Sequence, residues 1–348
     1  MKLVSRCIPV GSLPYESPEA ATRMLVKFYE KLPYLSFLPK VSDSENILQR
    51  TLENIPGIKI HGENIKLKTG TSNYEQGLAK LDQAFASPTP ANLEHFKINS
   101  AYMEKFIPMI KKFKSPNAVV NLLGPFSISQ MLTKTAEEQM LVDKSYRKLF
   151  IQAVCVKALW AINKIKEACP DTTPLIILEE PLLGQIGDLK RENEEITTDL
   201  IVALLNKVVE KLKEAGADVG IQCLDKCDWQ IPIHSGVDLI SFDAYNNPNN
   251  LCIIPEQITE FISRGGKINW GIVPVSDESV IKNVNIDIVT KRLFSTLEGL
   301  ILEGVPEKFV YNSAFVSVQG DTKNLPIIFA EKAIILANQL AKKIPIKS

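Results

Sequence analysis

Residues Gly220–Asn246, GIQCLDKCDWQIPIHSGVDLISFDAYN, decide the fold. This stretch and its flank hold two short apolar strands, Val219–Cys223 and Asp238–Phe242, with a short helix expected near Trp229–Ser235. Each strand closes on polar groups. Gln222, Cys223, Asp225 and Cys227 follow the first, and Asp243 and Tyr245 the second. Strand, helix and strand in close succession is the repeat of a parallel sheet. In such proteins ligands sit beyond the carboxyl ends of the strands, so the segment points to a site as well as a fold.

The same rhythm extends on both sides. Upstream, Ala118–Leu123 reads as a buried strand ending at Gly124-Pro125, and a long helix is expected over Thr135–Ala168. Pro174–Leu178 is the next strand, closing on Glu179-Glu180-Pro181. Apolar residues three to four apart mark a helix over Thr197–Ala215, stopped by Gly216. Downstream come helix Pro255–Ser263, strand Lys267–Ile272, helix Ile286–Leu302, strand Lys308–Tyr311 and helix Leu325–Lys342. The first part of the chain adds two strands, Leu3–Pro9 and a weaker one near Leu35–Lys40. Eight such units fit a closed (β/α)8 (TIM) barrel, α/β in class, as one domain over residues 1–348. An open doubly wound sheet is the competitor, but no GxGxxG or GxxxxGK[ST] loop follows any strand. Residues 41–115 break the rhythm and read as an inserted cap after the second strand, built of a strand hairpin and helices.

Bulk properties exclude several functions. The 348 residues are 45% hydrophobic, enough for a large core. Lys+Arg and Asp+Glu both number 40, so no net field attracts nucleic acid or an anionic membrane. The N-terminal apolar run is too short for a secretory signal, and no stretch approaches ~20 apolar residues. The expectation is a soluble cytoplasmic protein. Six scattered cysteines, with Cys155 in an apolar helical run, do not suggest a disulfide framework.

The strand ends supply the candidate substrate-binding set: Ser12, Glu179, Glu180, Gln222, Cys223, Asp243, Trp270 and Asn312. None of them is assigned as catalytic. Glu179 and Glu180, adjacent at a strand end, point to opposite sides. The inward one suits an ammonium group or acid–base work, and the other suits backbone N–H groups. Cys223 and Cys227 form a CxxxC pair that Asp225 or Asp243 could complete as a metal site. It lacks a second pair, and only His234 lies near, so a buried thiol beside an ordinary loop thiol is the competing reading. Trp270 either lines the mouth or simply packs.

Motifs at the strand ends carry a family resemblance. GSLP (11–14), LPYLSFLPK (32–40), LLGPFSIS (122–129), LEEP (178–181), QCLDKCDW (222–229), LISFDAY (239–245) and INWGIVP (268–274) occur in barrel order. They resemble the catalytic barrel of cobalamin-independent methionine synthase and stand-alone relatives in the methionine synthase/uroporphyrinogen decarboxylase-like superfamily. The resemblance implies a zinc methyltransferase. Zinc would hold homocysteine as the thiolate for attack on a methyl group carried by a folate or a corrinoid protein. A free thiol, with pKa about 8.5, is barely ionised at neutral pH.

The implied zinc ligands are His-x-Cys on one strand end, a carboxylate on the next strand and a Cys on the last. Here the first motif reads Gln222-Cys223-Leu224, which leaves Cys223 one place out of phase and on the other strand face. The carboxylate is Asp243, and Asn312-Ser313-Ala314-Phe315 stands where the last cysteine is expected. The family zinc site is therefore expected to be lost. Zinc would return only in a rearranged site, with Cys223, Cys227 and Asp243 as remnants. The acid that binds the substrate amine in the family maps to Glu179. The expected partners are a small amino acid or thiol and a corrinoid protein. A non-catalytic ligand- or partner-binding relative is one alternative. A uroporphyrinogen decarboxylase-like tetrapyrrole enzyme is another, though only Arg6 and Arg23 lie near the first strand where that enzyme has an arginine cluster.

Overall fold

The computed structural model describes residues 1, 3–62, 64–132 and 139–347. A small antiparallel hairpin pairs β1 (Ile58–His61) with β2 (Asn64–Leu67). The main sheet is parallel and runs in chain order from β3 (Asn117–Leu123) through β4 (Thr173–Glu179), β5 (Asp218–Gln222), β6 (Leu239–Phe242) and β7 (Lys267–Val273) to β8 (Ala314–Val318). Its strands are buried along almost their whole length, which is why they read as unbroken apolar runs. The six strands curl into half a barrel with helices outside.

The helices begin where capping residues allow. Asp143 accepts from Ser145 N and opens the helix Lys144–Ala168. The expected start at Thr135 lies outside the described residues. Thr197 accepts from Leu200 N to open Thr198–Glu214, and Gly216, at φ +78°, ends that turn. The helices Pro255–Ser263 and Ile286–Leu302 match expectation. Among the described residues no helix is long and apolar enough to cross a membrane.

Three expected strands are corrected. Lys308–Tyr311 is not a strand: Glu307–Ser313 is a helix, started by Pro306, and the last strand follows at Ala314–Val318. The run KFVYNSAFVSV is apolar at most positions, broken by Lys308, Asn312 and two serines. Its first half still buries Val310, Tyr311 and Ser313 along one helical side, leaving AFVSV to pair with β7. Leu3–Pro9 and Leu35–Lys40 do not form strands either. Single parallel bridges stand in their places: Cys7 with Val316, Ser12 with Phe37, and Tyr34 with Val119. Backbone bonds run from Ile8 N to Val316 O (2.9 Å), Leu13 N to Phe37 O (3.0 Å) and Leu35 N to Val119 O (2.9 Å), spanning the gap between β8 and β3. Pro9, Pro14, Pro33 and Pro39 lack the N–H a ladder needs, so the pairing stays discontinuous.

Within residues 41–115 the structure places β1, β2 and the helices Ile47–Leu52, Ser72–Ala86, Pro90–Leu93 and Met103–Phe113. Thr51 Oγ1 accepts from Leu123 N at 2.8 Å, tying the first of these helices to the carboxyl end of β3.

Candidate functional site

A cavity of about 650 Å³ opens at the carboxyl ends of the strands. Ser12, Glu179, Gln222 and Asp321 reach it from separate strand ends, and Asp43, Glu45 and Leu48 form a wall from the inserted segment. Lys323 is the cation on its lining, against four carboxylates.

Glu179 ends β4 and is part-buried at the cavity wall. Asn121, on β3, donates its amide to Glu179 Oε1 at 2.8 Å. Burial pushes the Glu179 carboxyl up to about 7, with Asp321 adding to the rise and Asn121 and Arg50 opposing it. A carboxyl near 7 can hold or release a proton at neutral pH.

Glu180 points the other way, as strand alternation requires. It is fully buried and accepts from Phe126 N (3.0 Å) and Ser127 N (2.7 Å), at the start of the helix Pro125–Leu132. Burial pushes it to about 7 as well, against those two donors. Of the two readings of this pair, Glu180 takes the structural one. Gly124 makes room for it: a Cβ there would stand 2.0 Å from Glu180 Oε1.

The register continues inward from the cavity. Glu179, Gln222, Ser241 and Asn269 are neighbours in one row across β4 to β7. Asn269 Nδ2 donates to Ser241 Oγ (2.8 Å) and Ser317 Oγ (2.9 Å), and Ser241 Oγ donates to Gln222 Oε1 (3.5 Å). This polar row inside apolar strands is a structural layer with one end, Glu179 and Gln222, on the cavity.

Ser12 sits on a turn stapled to the loop after β8. Its N–H donates to Asp321 Oδ1, and its carbonyl accepts from Thr322 N (3.1 Å) and Thr322 Oγ1 (2.7 Å). Gly11, at φ +76°, makes the turn, and a Cβ there would meet Gly320 O at 2.7 Å. Arg50 lies behind Glu179, 2% exposed, donating to Leu35 O (2.6 Å) and Ser36 O (2.9 Å) and stacked 3.5 Å over Phe37. Burial brings its guanidinium down to about 10, still charged at neutral pH.

Of the other sequence candidates, only Gln222 reaches the cavity. Gln222 and Leu224 line the cavity, while Cys223 between them is buried on the opposite side. There it hydrogen-bonds Cys227, which lowers the Cys223 thiol and, with burial, raises Cys227 well above the ordinary range. Asp243 is enclosed by donors: Gln319 Nε2 (2.8 Å), Asn246 N (2.9 Å) and Asn246 Nδ2 (2.8 Å). Trp270 is buried edge-on to Phe242, 5.1 Å between centroids, and takes the packing reading. Asn312 is misplaced by the sequence reading. It belongs to the helix before β8, at the amino end of the sheet, where Asn312 Nδ2 donates to Lys347 O at 2.8 Å.

The family's zinc can be tested against these residues. Asp243 has both oxygens turned to amide donors, which a cation would have to displace, and Gln222 belongs to the polar row. Among the described residues no three His, Cys, Asp or Glu side chains are grouped to hold a metal ion. The donor set does not fit zinc at the family position.

Asp321, Arg50, Asn121 and Gln319 were not found from the sequence. Asp321 and Gln319 follow the strand that was placed one element too early. Arg50 is an isolated cation in a polar insertion and carries no local signal.

Neither a family model nor a curated protein sequence matches this chain. Among solved structures it is similar to a methyltransferase from Methanosarcina mazei, at a TM-score of 0.48 and 11% identity, over 97% of this chain and 94% of that one.

Proposed function

We propose that this chain is a methionine synthase-like barrel whose cavity binds a small amino acid or thiol. In this reading the bridges at Cys7, Ser12 and Tyr34 close the sheet into an eight-stranded (β/α)8 barrel, with residues 41–115 as its cap. The carrying observation is the convergence of Ser12, Glu179, Gln222 and Asp321 on one cavity at the carboxyl ends of the strands. Glu179 and Asp321 suit a ligand ammonium group, and Lys323 suits a carboxylate.

The reaction class that the sequence resemblance supports is methyl transfer to a thiol, from a folate or from a corrinoid protein as partner. The family zinc is absent from this proposal, because Asp243 and Gln222 are committed to amide and hydroxyl partners. Without that Lewis acid, binding without turnover is the second reading, favoured by the same commitment of Asp243.

Calorimetric titration with homocysteine and with methionine tests the pocket. Saturable binding that weakens at least tenfold in Glu179→Gln is expected. No binding of either compound by the native protein would remove the proposal. Methyl transfer to homocysteine from methyl-folate or methylcorrinoid protein, followed by mass spectrometry, separates the two readings.

A further inference from the structure

We propose that Cys223 and Cys227 are a modification site: a dithiol beside the cavity that hydrogen peroxide closes into a disulfide within one loop. This inference does not depend on the ligand or reaction proposed above.

The loop CLDKC turns sharply after β5. Cys223 N donates to Ser241 O at 3.0 Å, which fixes the first cysteine to the sheet. The chain then folds back, so that Cys223 Sγ lies 3.7 Å from Asp225 O, two residues short of Cys227. Cys223 is 0% and Cys227 7% exposed, while Leu224, Asp225 and Lys226 between them face solvent. Cys7 and Cys155 differ: Cys7 meets Tyr29 Oη at 3.6 Å, and Cys155 is sealed within the helix Lys144–Ala168. Cys223 also follows Gln222 and precedes Leu224, both of which line the cavity.

The chemistry balances with peroxide. Cys223 Sγ attacks one peroxide oxygen, the O–O bond breaks, and the thiol proton leaves with hydroxide as water. The product is a sulfenic acid at Cys223. Cys227 Sγ then attacks that sulfur. The S–S bond forms, the S–O bond breaks, and the second thiol proton leaves with the hydroxyl as another water. Two thiols lose two electrons in all, and one peroxide becomes two waters.

The closed ring holds Leu224 between its ends. Leu224 lies over Gly320, where an added Cβ would come within 3.1 Å of its Cδ1, so the loop after β5 meets the loop after β8 at the rim. Oxidation therefore acts on the cavity wall itself.

Treatment of the native protein with stoichiometric hydrogen peroxide and non-reducing peptide mapping test the proposal. The expected product joins Cys223 to Cys227. Two of the six thiols disappear together and return with dithiothreitol. In Cys227→Ser, Cys223 instead stops as a sulfenic acid trapped by dimedone. Consumption of Cys169 or Cys252 while the pair stays reduced would overturn the proposal. So would a sulfenic acid at Cys223 of the native chain that never closes on Cys227. The native map needs no variant to fold.

Discussion

Replacing Gly124 with alanine is a small change with a large expected effect. The new methyl would stand 2.0 Å from Glu180 Oε1 and 2.2 Å from its carboxyl carbon. Flexible ends normally swing aside, but this one is fully buried and bonded to Phe126 N and Ser127 N. If Glu180 moves, two N–H groups at the start of a buried helix lose their acceptor, at about 1–3 kcal/mol each. If it stays, overpacking costs about 1–3 kcal/mol and the backbone at the end of β3 must shift. A loss of roughly 4 kcal/mol is expected for Gly124→Ala. Glu180→Ala alone should cost a similar amount. The double variant should be no worse than Glu180→Ala, because the methyl then enters the space the carboxyl vacated. The coupling between the sites is then about 4 kcal/mol. Urea unfolding of the four proteins, followed by circular dichroism, measures it. A loss below about 1 kcal/mol for Gly124→Ala, or simple additivity in the double variant, would refute the reasoning.

Three other outcomes are expected. Burial raises Glu179 from 4.5 to about 7. Its contribution to stability is therefore full below the unfolded value and is lost as pH rises through about 7. Glu179→Gln should flatten the fall in melting temperature between about pH 5 and about pH 8, leaving the part due to Glu180, and an unchanged slope would contradict this. Arg50→Met should lower stability by about 2–4 kcal/mol, read from the urea midpoint, by stranding the Leu35 and Ser36 carbonyls. Asn269→Leu should cost about 2–4 kcal/mol by leaving the Ser241 and Ser317 hydroxyls without their donor. Adding Ser241→Ala and Ser317→Ala should restore most of that loss, and no recovery in the triple variant would argue against the polar row as a unit.

Much of the sheet was legible because its strands are short, apolar and spaced by amphipathic helices. All five of β3 to β7 were placed to within one residue at each end. The first two strands failed for a reason present in the chain itself. Pro9, Pro14, Pro33 and Pro39 interrupt any ladder, so apolar character there yields bridges instead of strands. The last strand failed because a mostly apolar run of that length fits helix and strand alike. That single displacement sent Asn312 to the wrong end of the sheet and hid Asp321. Alternation placed Glu179 and Glu180 on opposite sides without saying which faced the cavity; the family resemblance pointed to Glu179, and Gly124 admits Glu180 on the other side. Arg50 could not be found at all, because its role rests on two carbonyls and a ring fourteen or so positions earlier in the chain.

A crystal structure grown with homocysteine, with anomalous scattering recorded for sulfur and for zinc, tests the central claim most directly. The account predicts the ligand in the cavity, its ammonium against Glu179 and Asp321, and no ion at Asp243. A tetrahedral cation held by side chains beside Asp243, or homocysteine bound away from Glu179, would contradict it.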